Sequence, residues 1–153
     1  MVGPPVGAVA LALALLTGWT AVGGAGRPRP VTAGDGWLLL PTAGASTATA
    51  AFFTIRNPGD VDDELIGAEW EFGGPIILKR HLHQASAGRW EPAPALPVPA
   101  RGELALSPED ADLMIAAPPP LRAGQQVGFT LTFRHSPPLR LTAVVLPPGD
   151  RPR

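Results

Sequence analysis

Proline and glycine punctuate this chain so densely that a long regular element has few places to run. There are 20 prolines and 18 glycines among 153 residues. Proline removes a backbone donor and clashes with the preceding helical turn, and glycine loosens whatever backbone it sits in. Interruptions at that rate favour short strands joined by turns. Apolar residues make up 45% of the chain, enough for one core in a chain this long. Charged residues are only 16% and the net charge is −1, so the clustered Lys and Arg that nucleic-acid binding requires are absent. No cysteine is present. Disulfides, thiolate metal sites and lipid attachment through a cysteine are therefore excluded within these residues.

The one long uninterrupted run is Val6 to Val22, which carries no charge and is followed by Gly23-Gly24-Ala25. Its length suits a secretory h-region, and the small residues after it offer a cleavage site. A run of about 17 also sits at the lower limit for spanning a bilayer. Met1 to Pro5 supplies no positive charge, and Arg27 and Arg29 follow the run, which opposes export. We expect residues 1–25 to be a signal peptide or membrane anchor, 26–36 a linker, 37–148 one β domain and 149–153 a disordered tail. The protein is expected outside the cytoplasm, either secreted, periplasmic or anchored to the envelope.

Strand-like runs then alternate with turn signals. Trp37 to Leu40 is short and apolar, and Ala50 to Arg56 stops at Asn57-Pro58-Gly59-Asp60. Asp62-Asp63-Glu64 reads as solvated charge before Leu65 to Trp70. Ile76 to Gln84 reads as a strand, Ser86 to Gly88 as its hairpin tip, and Trp90 as the start of the return. Pro92, Pro94, Pro97 and Pro99 make the next stretch extended but poor at ladder pairing. Gly102 to Leu106 and Leu113 to Ile115 are shorter candidates, separated by a turn or single helical turn at Ser107-Pro108-Glu109-Asp110. Val127, Phe129, Leu131 and Phe133 share one face of the clearest strand, and Leu139 to Leu146 is its expected antiparallel partner. Seven to nine short strands spell an antiparallel sandwich or barrel.

Two of the three histidines and the only methionine beyond Met1 fall near one another in type and spacing: His81-Leu82-His83 and Asp112-Leu113-Met114. Residues two apart in a strand point to the same face, so each pair presents two potential donors side by side. Imidazole with thioether is a donor set suited to copper. The plainer reading is also available. Leu78 and Leu82 would face the core, Lys79, His81 and His83 a solvated outer face, Met114 would fill space, and Asp112 would be surface charge. His135, beside Arg134, reads as a surface residue. No nucleophile elbow, phosphate-binding glycine loop or His-Glu-x-x-His occurs, so an enzyme is not expected.

The order of features resembles the periplasmic copper chaperone family called PCu(A)C over roughly residues 31–148. The segments that carry the resemblance are Ala51 to Asn57, Asp63 to Ala68, Leu96 to Ala100, and Leu121 to Gly124 followed by Val127 to Phe133. The family's copper motif is a His, then a Met, then twenty-one residues, then His-x-Met. Trp90 and Asp112 are separated by twenty-one residues here, with Met114 completing the final pair. Trp90 thus falls on the first Met and Asp112 on the second His, while His81 or His83 falls on the first His. Two of the four ligands are replaced. The resemblance implies a cupredoxin-like β-sandwich that binds Cu(I) or Cu(II) through His81, His83, Asp112 and Met114. It would act as a monomer and pass copper to an extracytoplasmic partner such as cytochrome oxidase. The alternative is a metal-free extracytoplasmic module that has lost the site.

Overall fold

The computed structural model describes residues 6–21, 29–42, 47–84 and 87–150. The apolar N-terminal run forms α1, Val6–Ala21, and its Leu11, Leu13, Leu15, Leu16 and Trp19 are all exposed. At 16 residues it rises about 24 Å. Among the described residues no helix is long and apolar enough to cross a membrane. The proposed cleavage region at residues 23–25 and the last residues of the expected tail, 151–153, lie outside the described residues.

Among the described residues twelve strands follow in chain order: β1 (Thr32–Ala33), β2 (Gly36–Leu39), β3 (Ala48–Phe52), β4 (Thr54–Asn57), β5 (Asp63–Trp70), β6 (Ile76–Gln84), β7 (Ala87–Pro92), β8 (Leu96–Val98), β9 (Gly102–Ala105), β10 (Ala111–Ala116), β11 (Gln126–Phe133) and β12 (Leu139–Leu146). Nine of them build one sheet in the order β7-β6-β10-β3-β2-β12-β11-β5-β8, and β1-β4-β9 form a small second sheet. The large sheet curls until β5 meets β6, which is not its ladder partner. The small sheet closes the curl, with β1 against β12 and with β4 and β9 against β8.

The all-β expectation holds, with three corrections. Twelve strands replace seven to nine, because several turn-bounded fragments too short to read from composition still pair. One pairing, β2 with β12, is parallel in an otherwise antiparallel arrangement. On its other side β2 approaches β3 closely at Gly36, where a side chain would overlap the Phe52 carbonyl and the Phe53 ring. The expected linker 26–36 is also partly domain: β1 pairs with β4, and Val31 is among the most deeply buried side chains.

A single core fills the curl. β11 buries Val127, Phe129, Leu131 and Phe133 on one face and pairs with β12, as its alternation requires. Leu38, Ile55, Leu65, Leu113 and Val145 join them, and Phe129 lies between the rings of Phe53 and Trp70.

The acidic run at Asp62-Asp63-Glu64 is the clearest departure from expectation. Asp63 is 3% exposed and accepts hydrogen bonds from the backbone N–H groups of Glu64, His135 and Ser136. Its burial works against ionisation, but the hydrogen bonds from Ser136, Glu64 and His135 outweigh it and hold the carboxyl below the ordinary 3.8. Asp62 accepts from the Ala100 N–H, and Glu64 pairs with Arg134. The run therefore fastens loops around β5 instead of sitting in solvent. Asp63→Asn places an amide N–H against the Ser136 N–H. We predict that it lowers unfolding free energy in urea by about 2–3 kcal/mol at pH 7. Because the folded pKa is depressed, that contribution is present above pH 3.8 and disappears as pH falls through the folded value, so the gap between variant and wild type closes in acid.

Candidate metal site

β6 supplies the histidines. It spans the residues that its sequence suggested, but its return begins earlier than expected. β7 starts at Ala87, and Trp90 lies in its middle, opposite His81. The expected hairpin tip falls partly on residues 85–86, outside the described residues, as does the side chain of His83.

The register of β6 on β10 decides which donors share a face. Leu78 lies opposite Leu113 and Arg80 opposite Ala111, which sets one face toward the core. Ile77, Lys79 and His81 therefore occupy the other face, with Met114 and Asp112 opposite the first two. His81 follows at the next step, where its N–H donates to the Asp110 carbonyl at 2.7 Å. Asp112 is thus diagonal to His81, and Met114 is two residues beyond Asp112. From Met114 to the level of His81 is four residues, about 13 Å along the strands. The imidazole and the thioether are not neighbours in this structure. Among the described residues no three His, Asp or Glu side chains cluster closely enough to hold a metal ion.

His81 is tightly placed. Its Nδ1 lies 2.9 Å from the Glu109 carbonyl oxygen. Its ring stacks on the Trp90 indole with centroids 4.8 Å apart and planes 16° from parallel. The His81 N–H points to β10, so His81 and Trp90 form a non-hydrogen-bonded cross-strand pair, the kind that brings side chains closest. On its remaining side the ring meets Gly88, where a side chain would overlap Nε2 and Cε1.

Asp112 is not the surface charge of the plainer reading. It is 9% exposed, and its Oδ1 is buried with no hydrogen-bond partner. Burial raises its carboxyl above the ordinary 3.8, opposed by the charge of Lys79 across the strand pair. Met114 is half-buried beside it, opposite Ala50 of β3. A buried carboxylate oxygen without a donor is one that a cation would satisfy. The donors on this face, imidazole, carboxylate and thioether, suit copper in either oxidation state.

A cleft of about 1340 Å³ lies elsewhere, among Arg56, Asp60, Asp63, Arg101 and His135. Its carboxylates are engaged: Asp60 with Arg101, Glu103 with Arg56, and Asp62 and Asp63 with backbone N–H groups. His135 is exposed, as read, with its Nδ1 3.4 Å from Asp63.

The model of the family described as "Putative lipoprotein LpqE-like" matches residues 31–145. This chain belongs to the LpqE-like family. No curated protein sequence matches this LpqE-like chain. Solved structures do. CuI-DR1885 from Deinococcus radiodurans is 26% identical, with a TM-score of 0.64 over 83% of this chain and 85% of that one. The copper-bound PCuAC domain from PmoF2 is 18% identical, with a TM-score of 0.63 over 80% of this chain and 97% of that domain. The apo PCuAC domain from PmoF1 is 20% identical, with a TM-score of 0.64 over 80% and 98%. The PCu(A)C resemblance read from the sequence is thereby borne out, and the LpqE-like chain has that fold. The family description names a lipoprotein, yet these residues contain no cysteine to carry a lipid.

Sequence reasoning missed Gly88, Ser107 and the Glu109 carbonyl. A backbone oxygen carries no residue-type signal, whereas the Ser-Pro-Glu-Asp turn at least marked where it lies. Asp112 gives a pH-dependent prediction. A carboxyl whose folded pKa is raised binds more protons folded than unfolded, so its contribution to stability falls as pH rises from 3.8 through the raised value. Asp112→Asn removes that fall. We expect it to stabilise the metal-free protein by about 1 kcal/mol at pH 7 and to have little effect at pH 3, as read by urea denaturation.

Proposed function

We propose that this LpqE-like protein is an extracytoplasmic copper chaperone that binds one copper ion on the outer face of β6 and β10 and passes it to a partner. The observation that carries the reading is Asp112, a buried carboxylate with an unsatisfied oxygen on the same sheet face as His81 and Met114. The copper-bound structures to which the fold is similar support it. In this proposal His81 and His83 supply nitrogen, Met114 soft sulfur, and Asp112 either an oxygen ligand or an acceptor that orients an imidazole. The donors are spread along two strands, so an ion is held by few bonds at a time. An incoming donor displaces them one by one, and release by ligand exchange is fast. The receiving partner belongs to the class of extracytoplasmic copper acceptors, of which cytochrome oxidase is one. Residues 1–25 act as the signal or anchor that places the domain outside the cytoplasm, and residues 37–148 work as a monomeric carrier.

The offset of about 13 Å along the strands between His81 and Met114 is the observation favouring the second reading, a metal-free binding module. Titration of the full chain with Cu(I) and Cu(II) against a weak competing chelator separates the two. The chaperone reading predicts one ion per chain, with uptake abolished when His81→Ala and His83→Ala are combined. It also predicts that Met114→Leu weakens Cu(I) binding about tenfold or more while sparing Cu(II). No stoichiometric uptake by the wild-type chain would leave the module reading in place.

A further inference from the structure

We propose that His81 is preset as a single tautomer, with Nε2 as its donor atom, and that Gly88 and Ser107 are the positioning residues that set it. The inference rests on the copper reading for its purpose, although its structural half stands without metal. A carbonyl oxygen can only accept a hydrogen bond. The 2.9 Å approach of His81 Nδ1 to the Glu109 carbonyl therefore requires the ring hydrogen to be on Nδ1. In the neutral ring the lone pair then resides on Nε2. A copper ion on Nδ1 would have to displace that hydrogen bond. An ion on Nε2 keeps it, with the carbonyl orienting the ring.

The carbonyl is itself held. Ser107 donates its N–H to the Ala111 carbonyl at 2.9 Å, and Asp110 returns its N–H to the Ser107 carbonyl at 3.3 Å and to its Oγ at 3.2 Å. The same turn receives the His81 N–H through the Asp110 carbonyl. Backbone and ring of one histidine are thus fastened to consecutive carbonyls of one Ser107–Asp110 turn. Trp90 closes one side of the ring, and Gly88 leaves the opening in which its Nε2 edge rests. A methyl at position 88 cannot share that space, so the ring must swing off the Glu109 carbonyl. Gly128, in β11, has nothing near its missing side chain, so an alanine there is a neutral control.

The experiment is long-range ¹H–¹⁵N NMR of the full chain labelled at histidine, before and after Cu(I), together with competition titration. Wild type should show His81 with its hydrogen on Nδ1, and copper should shift the Nε2 resonance. Gly88→Ala should lose the single-tautomer signature and bind copper at least tenfold more weakly. Ser107→Ala, which adds no atoms, should show a mixed tautomer and a two- to fivefold loss, while Gly128→Ala matches wild type. The proposal is overturned if the wild-type hydrogen is on Nε2, if copper shifts Nδ1, or if Gly88→Ala keeps both tautomer and affinity. Should Gly88→Ala not fold, the wild-type spectrum and Ser107→Ala decide. A wild-type chain that shows the Nδ1–H tautomer but takes no copper would defeat the copper reading while leaving the positioning of His81 intact.

Discussion

The antiparallel register between β6 and β10 is the constraint on which the site depends. Side chains alternate along a strand, so pairing Leu78 with Leu113 commits Lys79, His81, Asp112 and Met114 to the opposite face. A slip of one residue would send the imidazole and the carboxylate into the core and the leucines out. The core enforces the choice, since Leu113 and Ile115 are almost wholly buried among Leu38, Ala51 and Leu78. The donor face is thus a by-product of apolar packing on the other side of the same two strands. The register also fixes what the face lacks, which is a direct approach of sulfur to His81.

Much of this was legible in the sequence because it is written in period-two alternation. β6 and the face of β11 could be read from their own residues, and the pairing of β11 with β12 from the short Ser-Pro-Pro connection between them. What could not be read depends on partners distant in the chain. Asp63 belongs to a run of three acids beside a turn, a pattern that ordinarily means solvated charge. Its burial comes from Ser136 and His135, seventy-odd residues later. Asp112 was read both as a ligand and as surface charge; the structure shows it buried in the middle of the sheet, opposite Lys79 of β6. β1 was lost in a Pro/Gly-rich approach, where two residues pair only because β4 is present.

The site differs in kind from a preassembled cluster. His81 is held firmly by a carbonyl, an indole and a glycine opening, whereas Asp112 is buried opposite Lys79 and bears an unsatisfied oxygen. In the proposed carrier one donor is rigid and the next lacks a partner, an arrangement suited to taking up an ion and surrendering it. Retaining an unpartnered carboxylate costs stability, and such a cost is commonly found at functional positions. Trp90 has a visible role here, since its indole stacks on the imidazole and braces it.

Backbone amide NMR of the ¹⁵N-labelled chain during Cu(I) addition tests the central claim most directly, because it locates the ion without presuming its ligands. Copper held on the β6–β10 face should give saturable changes at one equivalent confined to Lys79–His83, Gly88–Trp90 and Glu109–Met114. Changes centred on Asp60, Arg101 and His135 at the large cleft, or no saturable change at all, would contradict it.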